Sequence, residues 1–435
     1  MKTMTTLLKN ADILTLNGDE VVHISRGFLG IDGKHIKYVG KSVPHDSYDV
    51  EKDMSGKLLM PGLINSHGHS PMTLLRGLGS ELPLERWLKE AMWPIEAKLD
   101  TETVRIGTRL ALAEMISTGT TCFSDMYYMS EGSAEEVCSA KLKSNLTRAL
   151  LAFDPDESLA DNSRYQEFKS LYDNYDGYDD GRIRIDFSLH AEYTTTERVT
   201  REIAGECNDV GGHMHIHLSE TAKEHNDCKN KYGKTPARWF ADAGVFDSSC
   251  QAAHCVVVED QDIDLLAEKG VTVIHNPSSN LKLGSGFAPI RKMMDKGINI
   301  TIGTDGAASN NNLNLFEEVH LASLIHKGYC NDPTIIRPEE LFKIATVNGA
   351  KMMRRDDIGS LEAGKRADII AIDLDRPHLT PNFDSLALFA YSIQGSDVVM
   401  TMTDGEIIYE NGVYHTIDMN ELKADVSRAL KRLYD

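Results

Sequence analysis

The feature that most constrains this chain is an alternation. Eight short apolar runs, at 58–65, 120–125, 146–153, 183–190, 213–218, 250–257, 271–276 and 298–303, are mostly separated by helix-length segments such as 101–117 and 260–269. A strand that returns through a helix pairs in parallel with its successor, so the pattern implies a parallel sheet. Eight such units imply a closed (β/α)8 barrel, whose working residues lie at the C-terminal ends of the strands. The flanks read as strands without intervening helices: 12–16, 27–31 and 36–40 on one side, 368–373, 398–402 and 406–409 on the other. Asp32-Gly33 is a hairpin turn signal. Short strands of this kind need a partner sheet. We therefore expect an α/β fold: a TIM-like (β/α)8 barrel over 59–364, a small β-sandwich built jointly from 1–58 and 365–418, and a terminal helix over 419–435.

The 435 residues, 41% of them hydrophobic, can bury a large core. A net charge of -20 repels phosphate backbones and anionic lipids. Nucleic acid and membrane surfaces are therefore poor partners, and a small neutral or zwitterionic substrate stays open. No apolar run approaches the ~18 residues of a membrane span, and residues 1–10 lack the apolar stretch of a signal peptide. The seven cysteines are odd in number, scattered, and form no C-x-x-C pair. That favours free thiols in a reducing cytoplasm over a disulfide frame. A homo-oligomer is the ordinary expectation for an enzyme of this size.

Candidate metal ligands recur where a barrel would place them. His67 and His69 follow the first strand, and alternate residues of an extended segment point to one side. His217 closes the fifth strand, with Glu220 three residues on; His254 lies in the sixth; Asp305 follows the eighth. An isolated H-x-H is a weak signal. His213, His215 and His217 alternate along one strand, and packing against the barrel interior accounts for two of them as well as ligation does. Recurrence at several strand ends is what singles these residues out. Three imidazoles and one carboxylate suit a divalent ion, with zinc first and Fe2+ or Mn2+ also compatible.

The motifs that carry a resemblance run almost end to end. They include Met60-Pro61-Gly62-Leu63-Ile64-Asn65-Ser66-His67-Gly68-His69, Trp93-Pro94-Ile95-Glu96, His217-Leu218-Ser219-Glu220-Thr221 and His275-Asn276-Pro277-Ser278-Ser279-Asn280. The most specific is Gly303-Thr304-Asp305-Gly306-Ala307-Ala308-Ser309-Asn310-Asn311-Asn312. The chain resembles the amidohydrolase superfamily, and within it the 5-methylthioadenosine/S-adenosylhomocysteine deaminases. The resemblance implies His67, His69, His217 and Asp305 as metal ligands, and Glu96, Arg148, His190, Glu220 and Asp305 as contacts to a nucleoside. Two-metal barrels of this kind often bridge their ions with a strand-four lysine; 182–190 contains none, so one ion is expected. One departure stands out. Where the family usually has proline-rich text around the strand-four histidine, this chain has Ser188-Leu189-His190-Ala191-Glu192-Tyr193, which sets the Glu192 charge near the pocket.

The implied reaction is hydrolytic deamination of an adenine ring in methylthioadenosine, S-adenosylhomocysteine or adenosine, giving the inosyl product and ammonia. It needs an activated water, a proton on a ring nitrogen and an amine that can leave. Glu220 suits protonation of the ring and of the leaving amine, His254 a hydrogen bond to the attacking oxygen, and Asp305 acceptance of the water's proton. A Glu96 carboxylate can accept two bonds from a ribose diol. Arg148 can pair with a homocysteine carboxylate, with Arg164 a weaker second basic group. Trp87 and Met92 read first as core. The nearest rival is a deaminase or chlorohydrolase of the same superfamily acting on a free base (guanine, cytosine, triazine), for which Glu96 would have no ribose to hold. A metal-binding protein that has lost catalysis is disfavoured by the joint presence of Glu220, His254 and Asp305.

Overall fold

A computed structural model of the chain describes residues 4–435. Five strands come before the first ligand-bearing one: β1 (Thr5–Asn17), β2 (Glu20–Asp32), β3 (His35–Gly40), β4 (Val50–Asp53) and β5 (Lys57–Pro61). Then come β6 (Leu63–Gly68), β7 (Thr120–Tyr127), β8 (Lys143–Arg148), β9 (Ile183–Ile185), β10 (Phe187–Ser188), β11 (His213–Leu218), β12 (Ser249–His254), β13 (Thr272–His275) and β14 (Ile300–Ile302). The last four are β15 (Ile369–Asp373), β16 (Val398–Thr403), β17 (Glu406–Glu410) and β18 (Val413–Tyr414).

The middle of the chain builds two parallel sheets, β6-β7-β8-β9 and β10-β11-β12-β13-β14. Helices such as Thr101–Ser117 and Glu197–Asp209 connect the strands. The run expected as one strand over 183–190 is interrupted at Asp186. Its buried carboxylate accepts from Asn145 Nδ2 at 2.9 Å, while its N–H donates to Leu146 O. At the other margin, β6 and the segment after β14 meet through Asp305 N to His67 O, 3.0 Å, and through paired Asn65–Thr304 bonds.

The two ends of the chain share one nine-stranded sheet, β18-β17-β16-β15-β5-β1-β2-β3, with β4 also paired to β1. The seam is β5, parallel to β1 and antiparallel to β15. The run expected as a single strand over 58–65 is therefore two strands in two sheets. The chain changes sheet at Gly62, beyond the division at 58 read from sequence. A Cβ on Gly62 would lie 2.0 Å from Thr121 Oγ1, so only glycine passes there.

The run expected over 146–153 starts earlier, at Lys143. This lysine is 1% exposed and is held by Asp368 and Asp404, each at 2.7 Å, which joins the parallel strands to the terminal sheet. A charge in a buried strand hides it from a hydropathy reading. The terminal helix Met419–Tyr434 is capped by Asp418 and buries Leu422, Ala429 and Leu433. Its Asp425 pairs with Arg109 at 3.1 Å, docking it on the helix Thr101–Ser117. All seven cysteines are free thiols, and no helix among the described residues is long and apolar enough to cross a membrane.

Candidate metal centre and active site

The C-terminal ends of β6, β11 and β12 and the turn after β14 converge on one buried point. His69 Nε2 lies 3.1 Å and His67 Nε2 3.5 Å from Asp305 Oδ1. His217 Nε2 is 3.4 Å from His69 Nε2. Two overlapping sets, His67/His69/His217 and His67/His254/Asp305, have their donor atoms within 4.8 Å of one another.

Each imidazole is held by its other nitrogen. His69 Nδ1–H donates to Met126 O at 2.6 Å, and His217 Nδ1–H to His190 O at 2.8 Å. These carbonyls can only accept, so each Nδ1 carries its proton and each Nε2 is aimed at the centre; burial lowers the His69 imidazole, but the facing Asp305 carboxylate outweighs it and raises that ring to about 9. For His67 the partner is His215 Nε2, 2.9 Å from Nδ1; His215 Nδ1 in turn faces Ser124 Oγ at 3.4 Å. His67 Nε2 is buried without a hydrogen-bond partner. Burial pushes the His217 imidazole well below its ordinary value, toward the neutral form that can donate to a cation. Burial alone would raise the Asp305 carboxyl, but the facing His67 and His69 imidazoles outweigh it and hold it well below its ordinary value, in the ionised form. Its Oδ2 also accepts from Ser279 Oγ (2.6 Å) and Ser309 Oγ (2.8 Å). Converging Nε2 atoms, an orphaned buried nitrogen and one carboxylate fit a divalent metal ion.

Around this point lies one cavity. Glu96, His190, Glu220 and His254 line it together with His69, His217 and Asp305. His254 Nδ1–H donates to Asn280 Oδ1 at 2.8 Å, which turns its unpartnered Nε2 toward Glu220 Oε2, 3.9 Å away. Burial raises the Glu220 carboxyl to about 7, so a protonated form is available near neutrality. His190 is pushed down to about 3 by burial and is neutral. Glu96 is raised by burial and accepts from Tyr127 OH at 2.8 Å.

Of the expected site residues, His67 lies buried in the ligand cluster beneath this cavity, and Arg148 lies away from both. It faces an adjoining groove shared with Arg164, Tyr128, Trp93 and Glu96. Its Nε is bound to Glu167 at 2.5 Å and its guanidinium lies 5.0 Å from the centre of the Tyr128 ring. Arg164 bonds only weakly, to Leu151 O at 3.4 Å.

Sequence reasoning left several participants without a role. Ser279, Asn280 and Ser309 stood inside quoted motifs, but what they hold became visible only in three dimensions. His215 was one of three alternating histidines that strand periodicity could not sort. Trp87, read as core, and Trp93 and Tyr193, which were given no role, form cavity wall. Met92 is fully buried and packs as core.

The sequence matches the model of the amidohydrolase family over residues 58–408. A 5-methylthioadenosine/S-adenosylhomocysteine deaminase of Acetivibrio thermocellus is 44% identical, covering 99% of this chain and 100% of its own. A 5'-deoxyadenosine deaminase of Methanosarcina acetivorans is 40% identical over 96% of this chain and 95% of its own. Among solved structures, an adenosine deaminase from Xanthomonas campestris with bound zinc superposes with a TM-score of 0.92 at 29% identity, covering 99% of each chain.

Proposed function

The chain belongs to the amidohydrolase family, and from that premise we propose that it is a metal-dependent deaminase of the adenine ring in 5'-substituted adenosines: 5'-methylthioadenosine, S-adenosylhomocysteine, or a close analogue. The observation that carries this reading is the pairing of Glu220 and His254, 3.9 Å apart, beside the His/Asp cluster in a cavity whose other wall holds Glu96. The hydrogen-bonded margins between β6 and the turn after β14, and between β8 and Asp186, support a closed (β/α)8 barrel as the frame. The terminal sheet folds over its own core of Leu8, Ile13, Ile31, Ile369 and Met400, which supports a β-sandwich domain beside that barrel.

His67, His69, His217 and Asp305 would hold one divalent ion, zinc first. When bound, it supplies Lewis acidity sufficient to bring the pKa of water from 15.7 to about 7. Asp305, ionised, takes the proton that water gives up. His254, with Nδ1–H held by Asn280, keeps Nε2 for a hydrogen bond at the attacking oxygen. Glu220 in its acid form donates to the ring nitrogen next to the carbon under attack, so that carbon accepts the oxygen's electron pair. Left as a carboxylate, it takes up the proton of the added hydroxyl and relays it to the amine; the C=O bond forms as the C–N bond breaks with release of ammonia, and the proton held by Asp305 restores the acid form of Glu220. Glu96 accepts from the ribose diol. His190 contributes a neutral ring to the cavity beside His217. Arg164, whose charge no carboxylate neutralises among the described residues, and Arg148 give the adjoining groove a pole for the carboxylate of an amino-acid tail.

Absorbance of the adenine-to-hypoxanthine conversion tests this directly. Adenine, adenosine, 5'-deoxyadenosine, methylthioadenosine and S-adenosylhomocysteine should be compared, with bound metal measured on the same sample. Turnover of the nucleosides with little on adenine is expected; equal turnover of adenine with none of methylthioadenosine would sink the reading. Replacing Arg164 by Ala should raise KM for S-adenosylhomocysteine by about 10-fold or more, the worth of one hydrogen bond to a charged group, and leave methylthioadenosine unchanged.

A further inference from the structure

Glu192 stands two residues beyond His190, where the sequence reading set its charge near the pocket. The structure puts it behind the wall. His190 and Tyr193 face the cavity, while Glu192 is 2% exposed and its Oε2 is enclosed with no N–H or O–H partner. Its neighbour is a second buried carboxyl, Glu224, 6% exposed. Glu224 sits in the first turn of the helix Ala222–Tyr232 and accepts from three successive backbone N–H groups: Ser219 (2.7 Å), Glu220 (2.7 Å) and Thr221 (3.3 Å). Burial raises the Glu224 carboxyl, and those three donors oppose it, favouring its ionised form over that of Glu192. Two buried carboxylates in contact cannot both be charged, so the proton must sit on Glu192 and be given to Glu224.

The segment being held carries Glu220. Ser219, just before it, has a φ of 47°, a left-handed conformation that a serine adopts only when its surroundings impose it. The three-fold acceptor at Glu224 holds the N–H groups of this turn, and the N–H groups of Val256 and Val257 hold the Ser219 carbonyl from the other side. We propose that Glu192 and Glu224 are positioning residues: a carboxylic acid–carboxylate clamp, sharing one proton, that fixes the Glu220 turn and ties it to the turn bearing His190. The inference rests on the reading of Glu220 as the proton donor.

The electrostatics agree with the geometry. Burial and the facing Glu224 raise the Glu192 carboxyl from 4.5 to about 10. None of the groups that shift either carboxyl is a lysine or arginine. The other titratable groups that feel the pair are Tyr193, Cys228 on the helix Ala222–Tyr232, and, through Glu224, Glu220 itself and Cys255 after β12. All of these are acids, so none relieves the second negative charge. The clamp is therefore closed at neutral pH and opens as pH rises through about 10.

The test uses the full-length, metal-loaded protein with Glu192→Gln, which keeps a donor toward Glu224, and Glu192→Leu, which does not. Two quantities are read: amide hydrogen exchange at Ser219, Glu220 and Thr221, and the kinetics of deamination. Glu192→Gln should match the natural chain in both and lose its activity fall toward pH 10. Glu192→Leu should expose the three amides and lower kcat by about 10–100-fold, the usual cost of removing a group that orients a working side chain, with KM little changed. Exchange and kcat unaltered by Glu192→Leu would overturn the clamp, as would a Gln variant as damaged as the Leu one. Should Glu192→Leu not fold, Glu224→Gln serves: it removes one acceptor oxygen, and unchanged protection at Ser219 and Glu220 would refute the proposal. Exchange is independent of turnover, so a chain with no deaminase activity would refute the functional reading and leave the clamp to be judged by exchange alone.

Discussion

At the scale of single residues, the site is organised by which atom each side chain has left to offer. His69 and His217 spend Nδ1–H on carbonyls, His254 spends it on Asn280, and all three keep Nε2 for the centre. Glu220 differs from the acids around it. Asp305 is pinned in its ionised form by two histidines, whereas burial lifts Glu220 to about 7. The two carboxyls are thereby assigned opposite duties, proton acceptor and proton donor, by surroundings alone. Replacing Glu220 by Gln should lower kcat by about 10²–10⁴-fold, the range for a lost general acid, without loss of bound metal. Near-natural turnover in that variant, with metal retained, would show that the ring is protonated by something else.

At the scale of elements, the decisive event is the change of sheet at Gly62. β5 belongs to the terminal sheet and β6 to the parallel one, and the chain crosses between them beside Thr121. Because β6 ends in His67-Gly68-His69, the position of that crossing sets where both ligands stand. Gly62→Val should cost about 1–3 kcal/mol in urea unfolding, as for an overpacked core, and should lower metal content as well. A fully stable, fully loaded Gly62→Val would mean that Thr121 can give way and that the crossing is not tightly fixed. The break at Asp186 is of the same kind: a buried polar residue with its own partners interrupts an apolar run, and hydropathy has no means to see it.

At the scale of the whole molecule, two features join distant parts of the chain. One is the buried group of Lys143 with Asp368 and Asp404, which bridges the parallel strands and the terminal sheet. Lys143→Ala leaves the buried Asp368 without its cation, while Asp404 keeps Arg182 and Arg366, and we expect about 3–5 kcal/mol of lost stability, read by chemical denaturation. A change below 1 kcal/mol would mean that water reaches the site and replaces the lysine. The other is the ion itself, whose ligands come from β6, β11 and the turn after β14. An ion bound by the folded chain alone stabilises it by mass action. Chelation should therefore lower Tm and abolish deamination together, and added zinc should restore both; a Tm indifferent to chelator would argue against a site assembled from these ligands.

What the sequence determined by itself is chemical identity and order. The strand–helix alternation, the pairing of the two ends, and His67, His69, His217, Glu220, His254 and Asp305 at strand ends are all local patterns, written in neighbouring residues and their spacing. What only the tertiary structure decided is which atoms face one another. Glu192 looked like a charge near the pocket until its burial against Glu224 made it a protonated acid behind the wall. Lys143 looked like the edge of a loop until Asp368 and Asp404, more than two hundred residues away in the chain, neutralised it. Asn280 and Ser279 were motif letters until His254 and Asp305 met them. The reason is physical. Protonation states, tautomers and buried charges depend on contacts between residues remote in sequence, and those contacts exist only once the chain has folded.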